Sequence, residues 1–376
     1  MALSIGVPAE TKAGETRVAL VPEVAAQLID RYDVDVLVES GAGAKALHDD
    51  ADYEEAGARI VSRDEALGAK VVLFVQPPVG EDIQQLQSGQ VVIGFLSPLD
   101  EPAMSQQLAE RGVTALSMEL VPRISRAQKM DALSAMSSLG GYRAVLTAAH
   151  TLPRFFPLLT TAAGTIKPAN VLVLGAGVAG LQAIATAKRL GARVAGYDIR
   201  PAVKEEVKSL GAGFLELEID ADDTQTEGGY AKELQDEIAA RQPELLAPHI
   251  GRADVVVSTA LIPGRPAPRL ISEEAIAGMT PGSVVVDLAA PNGGNCDLTE
   301  PGATVTPHDV TIIGPLNLPA EMPVHASQLY AKTLAAFVEE FVADGAFQID
   351  FEDDIFGGAC VTHEGQVVHD RVKELV

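Results

Sequence analysis

Three glycines in the middle of the chain have the spacing of a dinucleotide-binding turn. Residues 171–180 read VLVLGAGVAG, an apolar run followed by Gly175, Gly177 and Gly180. In this pattern the first glycine allows a tight turn, the second lets a pyrophosphate approach the backbone, and the third lets a helix pack closely on its strand. The amide groups at the beginning of that helix would face the phosphates. The spacing therefore predicts a dinucleotide site; the alternative is a tight strand-to-helix turn without a ligand.

An acidic residue follows at the distance that such a site requires. A second apolar segment, residues 193–197, leads into Asp198, which lies 18 residues beyond Gly180. A carboxylate there would bind the adenosine ribose hydroxyls of NAD and repel the 2′-phosphate of NADP. We therefore predict NAD as the cofactor. Arg200 would either soften this repulsion or be an ordinary surface cation.

The composition is typical of an α/β protein. Hydrophobic residues make up 47% of the 376 residues and occur in short Val, Ile and Leu runs, as buried parallel strands do. These runs alternate with helical patterns, which indicates βαβ units. The charge-free run 168–187 contains three turn glycines, so we expect a strand, a turn and a helix rather than direct membrane insertion. No secretory signal is expected at the N terminus.

The cysteine, histidine and charge content indicate the compartment of the protein and exclude some ligands and partners. Cys296 and Cys360 are the two cysteines, which fits a reducing cytoplasm, and the scattered histidines predict no metal site. The net charge of −24 argues against nucleic acid and against docking on anionic lipid. We interpret this charge as halophilic adaptation, because salt screens the repulsion within an acidic surface. The alternative is an ordinary acidic cytoplasmic protein.

We predict two Rossmann-like domains with parallel sheets, joined by long linking helices. The first would comprise residues 1–125 completed by residues 326–376, and the second residues 140–321. A linking region is expected over residues 123–141 and a turn-rich tail from Phe347. The acidic stretch 220–229 lacks apolar periodicity and would be either a mobile lid or a solvated surface loop.

The predicted elements follow the apolar pattern. Strands are expected over residues 3–8, 34–39, 71–75, 91–96, 113–117, 171–174, 193–197, 214–217, 255–259, 283–287 and 311–313, and helices over residues 22–32, 103–111, 142–152, 179–190, 201–210 and 322–344.

Several motifs resemble the alanine dehydrogenase and NAD(P) transhydrogenase superfamily over essentially the whole chain. Besides the glycine-rich turn, they are residues 6–10 (GVPAE), 17–22 (RVALVP), 261–264 (LIPG), and 287–289 (DLA) with Gly293 and Gly294. Two further segments resemble the transhydrogenase branch in particular. Residues 123–134 (RISRAQKMDALS) are similar to the nicotinamide-side loop of its NAD(H)-binding component, and residues 228–232 (GGYAK) to the tip of its mobile loop.

Three positions depart from the alanine dehydrogenase pattern. That family has a lysine that polarises the keto acid where this chain has Gln76, and a histidine where this chain has Ser97. It also has an aspartate close to the position of Pro291. Deamination needs a positioned acid and base, whereas hydride transfer between two nicotinamides depends mainly on how the rings are oriented. The losses therefore favour transhydrogenation. Arg17, which resembles a substrate-carboxylate arginine, is retained either for structure or for binding.

The resemblance also implies residue roles. Arg123, Gln128, Asp131 and Ser134 would surround the nicotinamide and its ribose, with Gln128 bridging to the second nucleotide. The alternative is a polar linker whose acid and amide only cap the following helix. The implied cofactor contacts are Gly175, Ala176, Gly177, Val178, Gly180, Asp198, Ile199, Arg200, Arg126, Lys129, Met130, Gly229, Tyr230, Gln242 and Leu261. The alternative for Tyr230 is a surface aromatic residue on a flexible loop.

The function implied by this resemblance is that of the NAD(H)-binding, alpha-type subunit of a Re/Si-specific, proton-translocating NAD(P)+ transhydrogenase. NADP(H) and the membrane spans would belong to partner subunits. The chain would form a homodimer in the cytoplasm, peripheral on the inner face of the cell membrane. The alternatives are a stand-alone alanine dehydrogenase-like oxidoreductase and a non-catalytic NAD sensor or scaffold.

Overall fold

The computed structural model describes residues 3–217, 241–262 and 264–376, and it divides the chain into two compact units. Unit 1 comprises Met1–Met136 together with Pro319–Val376, and unit 2 comprises Ser137–Leu318. Each unit is built around a sheet with mostly parallel strands and with helices between the strands. The predicted α/β class with two Rossmann-like units is confirmed.

The strands are described in chain order. They are β1 (Ser4–Val7), β2 (Asp35–Glu39), β3 (Arg59–Val61), β4 (Val71–Leu73), β5 (Val91–Gly94), β6 (Thr114–Ser117), β7 (Leu159–Thr161), β8 (Gly164–Ile166), β9 (Asn170–Leu174), β10 (Arg193–Tyr197), β11 (Gly213–Phe214), β12 (Val255–Ser258), β13 (Val284–Asp287), β14 (Thr304–Val305), β15 (Thr311–Ile313), β16 (Val342–Ala343), β17 (Ala346–Phe347), β18 (Cys360–His363) and β19 (Gln366–Val367).

The helices follow the same order. They are α1 (Pro22–Tyr32), α2 (Asp50–Glu55), α3 (Arg63–Leu67), α4 (Gly80–Gln85), α5 (Pro102–Glu110), α6 (Ala132–Thr151), α7 (Val178–Arg189), α8 (Lys204–Ser209), α9 (residues 241–250), α10 (Glu273–Ala277), α11 (Pro323–Phe341), α12 (Asp354–Ala359) and α13 (Asp370–Lys373). Among the described residues, no helix is both long enough and apolar enough to span a bilayer.

The sheet of unit 2 explains why its strands read as continuous apolar runs. Its order is β11-β10-β9-β12-β13-β15-β14, with β14 antiparallel to β15. Along β9, Val171 and Val173 enter one core cluster while Leu172 and Leu174 enter another. Successive side chains of a strand point to opposite faces, so a strand that is covered on both faces is apolar at every position.

The sheet of unit 1 contains strands from both ends of the chain. Its order is β19-β18-β6-β5-β4-β1-β2-β3, and β18 pairs antiparallel with β6. The turn-rich tail predicted from Phe347 is therefore wrong, since that segment contains α12, β18, β19 and α13. Its strands are short and lie next to glycines, so the sequence pattern alone resembled turns.

The predicted linking region also differs from the structure, because α6 begins at Ala132 rather than near Tyr142. Serines and the Gly140–Gly141 pair lower the helical propensity of this stretch. A Cβ at Gly141, however, would lie 2.0 Å from the carbonyl oxygen of Ala179. Close packing within unit 2 therefore requires a glycine inside this helix, and tertiary packing overrides the local propensity.

Candidate functional site

Strand register brings the predicted nucleotide residues of unit 2 to one edge of its sheet. Leu174 of β9 is paired with Tyr197 of β10 and with Ser258 of β12. The residues that come next in each strand, Gly175, Asp198 and Thr259, therefore emerge side by side at the carboxyl ends of parallel strands. In open α/β sheets, ligands bind at this edge, where the strand order changes direction.

The three glycines occupy distinct environments in the turn between β9 and α7. Gly175 has a φ of +88°, and a Cβ on Gly180 would lie 1.8 Å from the carbonyl oxygen of Gly175. A Cβ on Gly177, by contrast, would approach Arg200 Nη2 at 3.9 Å and nothing closer. The first and third glycines are thus required by the backbone. The second leaves an open approach to the beginning of α7, where free amide groups favour an anion.

The Asp198 carboxylate is engaged by four donors. Oδ2 accepts the Ala176 N–H at 2.8 Å and Arg200 Nη2 at 3.0 Å, and Oδ1 accepts Arg200 N and Nε, both at 2.9 Å. Burial alone would raise the pKa of Asp198, but the hydrogen bonds from Arg200 and Ala176 outweigh it and hold that pKa below its usual value. The carboxylate is therefore ionised, and it ties the glycine-rich turn to the end of β10.

Arg200 is the exchangeable partner in this arrangement. Its side chain is 59% exposed, whereas that of Asp198 is 7% exposed. A carboxylate offers about four acceptor positions, and all of them are used here. For the ribose hydroxyls to reach Asp198, the Arg200 guanidinium must move away, because the other two donors are backbone amides.

Asn295 is a residue of this edge that the sequence did not indicate. Its side chain accepts the Ala260 N–H at 3.2 Å, donates to the Ala260 carbonyl at 2.9 Å, and accepts Ser258 Oγ at 2.6 Å. The buried Asp287 carboxylate accepts the Asn295 N–H at 2.7 Å. This chain of bonds holds the loop after β12, and an asparagine in a glycine-rich turn carries no local signal for such a role.

The remaining predicted contacts of unit 2 lie in different environments. Val178, Ile199 and Leu261 are exposed next to strand ends at the carboxyl edge, while Ala176 and Gln242 are buried. Gly229 and Tyr230 lie outside the described residues, as does the acidic stretch predicted to be a lid or a surface loop.

In unit 1 the predicted nicotinamide-side residues lie on and around a 3₁₀ turn, Ser125–Met130, which precedes α6. Gln128 and Arg123 are exposed. Asp131 receives the Ser134 N–H at 2.8 Å and Ser134 Oγ at 2.6 Å. Asp131 therefore caps α6, as the alternative interpretation expected, and the two exposed residues present their side-chain groups at the surface of the unit.

The other three predicted residues of this segment fix the turn in place. Met130 is fully buried. Arg126 pairs with Glu340 at 3.1 Å and with Asp353 at 2.5 Å, and Lys129 pairs with Glu340 at 3.1 Å. Their side chains are thus already used within unit 1, and a nucleotide would have to compete for the two cations.

Two family models match the chain almost from end to end. The N-terminal domain model of alanine dehydrogenase/PNT matches residues 6–140, and the C-terminal domain model matches residues 144–370. The chain belongs to the alanine dehydrogenase/PNT family.

The similar members of this family are named either transhydrogenase or alanine dehydrogenase. An NAD(P) transhydrogenase subunit alpha chain of Rhodospirillum rubrum is 45% identical, and the alignment covers 98% of each chain. The solved structure of transhydrogenase from Sinorhizobium meliloti has a TM-score of 0.87 at 43% identity, covering 97% of this chain and 100% of that one. "Alanine dehydrogenase" of Mycobacterium tuberculosis is 29% identical, covering 98% of this chain and 96% of its own.

Two of the positions that depart from the alanine dehydrogenase pattern, Gln76 and Ser97, form hydrogen bonds within unit 1. Gln76 Nε2 donates to Glu15 Oε2 at 2.8 Å, and Arg17 binds Glu15 with Nε at 2.8 Å and Nη2 at 2.6 Å. Arg17 is 3% exposed. Because its guanidinium is buried against Glu15, the structural interpretation of Arg17 is favoured. Ser97 has a φ of +46° and donates its N–H to Glu119 at 2.9 Å.

Glu10 lies beside this cluster, and its ionisation gives a testable pH dependence. Burial raises the pKa of Glu10 from 4.5 to about 7, and the Glu15 charge adds to the rise, although N–H groups of Val75 and Gln76 and the charge of Arg17 oppose it. Folded Glu10 thus holds its proton more tightly than the unfolded chain does. This contribution to stability is present below the unfolded pKa and is lost as the pH rises from about 4.5 to about 7.

We therefore expect Glu10→Gln, which stays neutral, to lose less stability than the wild type between pH 5 and pH 8. The difference should be about 2–3 kcal/mol, measured by denaturant unfolding across this range. Glu15 does not change its charge in this pH range, because Arg17 overcomes the effect of burial and lowers the pKa of Glu15 to about 2. The exposed Glu54→Gln is the matched control; parallel curves for wild type and Glu10→Gln would contradict the assignment.

In the part of the chain that the structure describes, no group of three or more His, Cys, Asp and Glu side chains is placed to hold an ion. Burial raises the pKa of the Cys296 thiol to about 11 and that of Cys360 to about 12, so both thiols are protonated at neutral pH.

Proposed function

We propose that this chain is the NAD(H)-binding subunit of a Re/Si-specific, proton-translocating NAD(P)+ transhydrogenase. The observation that carries the proposal is the glycine-rich turn with Asp198 at the edge of the unit 2 sheet. It occurs in a family member whose relatives at 43–45% identity are named transhydrogenases. The reaction is hydride transfer from NADH, bound here, to NADP+ held on a partner subunit, coupled to proton translocation.

The arrangement of unit 1 supports hydride exchange over amino-acid oxidation. Deamination requires an acid and a base that are free to exchange protons with the substrate. Gln76 and Arg17 are instead bound to Glu15, and Ser97 has no ionisable side chain. Hydride transfer needs no such group, because it depends on ring orientation. Gln128 and Arg123 are the exposed polar residues that we assign to the nicotinamide side, together with Asp131 and Ser134.

Mixing the purified chain with an NADP-binding partner domain tests this function directly. We expect NADPH to form from NADH and NADP+ only when both proteins are present. In parallel, the chain alone is assayed with alanine and NAD+. NADH production from alanine at enzymatic rates would establish the alanine dehydrogenase-like alternative instead. NAD binding without either reaction would indicate a sensor.

A homodimer is the second element of the proposal, and a hairpin of unit 2 supports it. Strands β7 and β8 form a separate two-stranded sheet. Next to and within it, Phe155, Leu158 and Ile166 are 48%, 61% and 49% exposed. An isolated hairpin has little stability of its own, and clustered exposed apolar residues indicate a covered surface. We propose that a second copy of the chain covers this hairpin.

We expect Ile166→Asp to convert the dimer to monomers, because a buried unpaired carboxylate at the interface would cost several kcal/mol. Light scattering after size-exclusion chromatography, over a tenfold dilution series, measures the change. Leu316→Asp introduces the same charge at another exposed apolar position of unit 2, 60% exposed, and is the matched control. A dimer that persists in Ile166→Asp, or is lost in the control, contradicts this interface.

The cellular setting follows from the same proposal. NADP(H) binding and membrane spans belong to partner subunits, so the chain acts in the cytoplasm, peripheral on the inner face of the membrane. The charge of −24 supports adaptation to high salt. Full activity and stability in dilute buffer would contradict that adaptation.

A further inference from the structure

The 3₁₀ turn that carries Gln128 is held by a group of four charged side chains from distant parts of unit 1. Arg126 Nη1 contacts Glu340 Oε1 at 3.1 Å, and Lys129 Nζ contacts Glu340 Oε2 at 3.1 Å. Arg126 Nη2 contacts Asp353 Oδ2 at 2.5 Å. We call these four residues the charged strap. Glu340 lies on α11, and Asp353 is the N-cap of α12.

The strap acts on one side of the turn and leaves Gln128 on another. A 3₁₀ helix has three residues per turn, so Arg126 and Lys129 project from the same side. One Glu340 carboxylate binds both, one with each oxygen. Ala127 and Met130 are buried, at 2% and 0% exposure, and the turn packs against α11. Gln128 is then the exposed residue between the two paired cations.

We infer that Glu340 and Asp353 are positioning residues for hydride transfer, acting through the turn that presents Gln128. This inference rests on the proposed function. The physical reason is that transfer between two rings depends steeply on distance and angle, so a displacement of about 1 Å in a positioning group reduces the rate strongly. The two cations of the strap are about half exposed, Arg126 at 46% and Lys129 at 53%, and ion pairs of such exposed side chains contribute little to global stability. The effect of these ion pairs would therefore appear in the local geometry of the turn.

The chain supplies a closely matched control. Glu339 and Glu340 are adjacent on α11, with side chains 20% and 21% exposed. Glu339 pairs with Arg31 at 3.1 Å, outside the turn. Glu339→Gln and Glu340→Gln therefore make the same chemical change, on the same helix, with similar burial, and only the second removes a strap residue.

Two measurements on the full chain test the inference. Hydrogen exchange, without nucleotide or partner, follows the amides of Ala127 and Asp131, which donate to Ile124 and Gln128 carbonyls at 3.0 and 3.3 Å. Single-turnover hydride transfer to NADP+ on a partner domain gives the rate. We expect Glu340→Gln to speed exchange at both amides and to slow transfer about tenfold, with NADH affinity within about twofold. Glu339→Gln should change both by less than about twofold.

A second strap variant guards against a general folding defect. Asp353→Ser keeps an oxygen that caps α12, where Asp353 accepts the Ile355 and Phe356 N–H groups at 2.8 and 3.2 Å, but removes the charge opposite Arg126. Like Glu340→Gln, Asp353→Ser should slow hydride transfer. Its melting temperature should change by no more than that of Glu339→Gln.

The outcomes separate this inference from the proposed function. No hydride transfer by the wild type would defeat the proposed function, and the positioning role with it, while exchange would still show whether the strap holds the turn. Unchanged exchange in Glu340→Gln, or faster exchange with a normal transfer rate, would overturn the positioning role alone. Equal effects of Glu339→Gln and Glu340→Gln would overturn it as well.

Discussion

Gln128→Asn will slow hydride transfer from NADH to NADP+ about thirty- to a hundredfold while leaving NADH affinity within about twofold. The substitution keeps the amide group but shortens its reach by one methylene. Gln128 is exposed on the turn, and its side chain makes no hydrogen bond among the described residues. The loss therefore falls on an interaction made during transfer rather than on the fold or on the bound NADH.

Single-turnover rates with a partner domain, together with calorimetric titration of NADH, measure the two effects separately. Gln106→Asn makes the same change at an exposed position of α5 in the same unit and should behave as the wild type. A loss of NADH affinity as large as the loss of rate would show that Gln128 is a simple binding residue. Normal transfer would remove it from the site altogether.

Asp198→Asn is expected to weaken NADH binding about ten- to a hundredfold, which is the range for hydrogen bonds to a charged group. It should also remove most of the preference over NADPH, because a neutral amide no longer repels a 2′-phosphate. The substitution eliminates the charge that Arg200 neutralises and weakens the bond to the Ala176 N–H. Calorimetry with both reduced nucleotides measures the preference.

Arg200→Gln provides a test of opposite sign. In the structure the guanidinium occupies both oxygens of Asp198, and it must leave for the ribose to bind. Its removal should leave NADH affinity unchanged or raise it by up to about tenfold, since the competing hydrogen bonds to a charged group disappear. If the two substitutions weaken NADH binding equally, Arg200 is a direct ligand rather than a competitor. Equal affinity of the wild type for NADH and NADPH would refute the specificity role of Asp198.

Elements with a strong local pattern were predictable in both units. The strand predicted over residues 311–313 and the helix predicted over residues 22–32 have those bounds in the structure. Strands β9, β12 and β13 lie within one residue of the prediction. Strands covered on both faces must be apolar at each position, and glycine turns bound them, so the pattern is visible locally.

Three of the errors occurred where distant contacts decided the structure. The sequence predicts a strand over residues 214–217, but β11 covers Gly213–Phe214, and among the described residues it pairs with β10 alone, at the edge of the sheet. The beginning of α6 and the elements after Phe347 were missed for a similar reason. Each depends on a neighbour far away in sequence, such as β6 for β18, and short segments carry too little periodicity to reveal it.

By itself the sequence determined the fold class, the glycine-rich turn and the acid that follows it, because spacing along a strand, a turn and a helix is a local property. Only the tertiary structure decided how the charged side chains of these motifs are used. It placed Arg200 on Asp198 and bound Arg126 to Glu340, 214 residues away. The partner of a long flexible cation depends on which surfaces folding brings within about 3 Å, and residue order along the chain does not specify that.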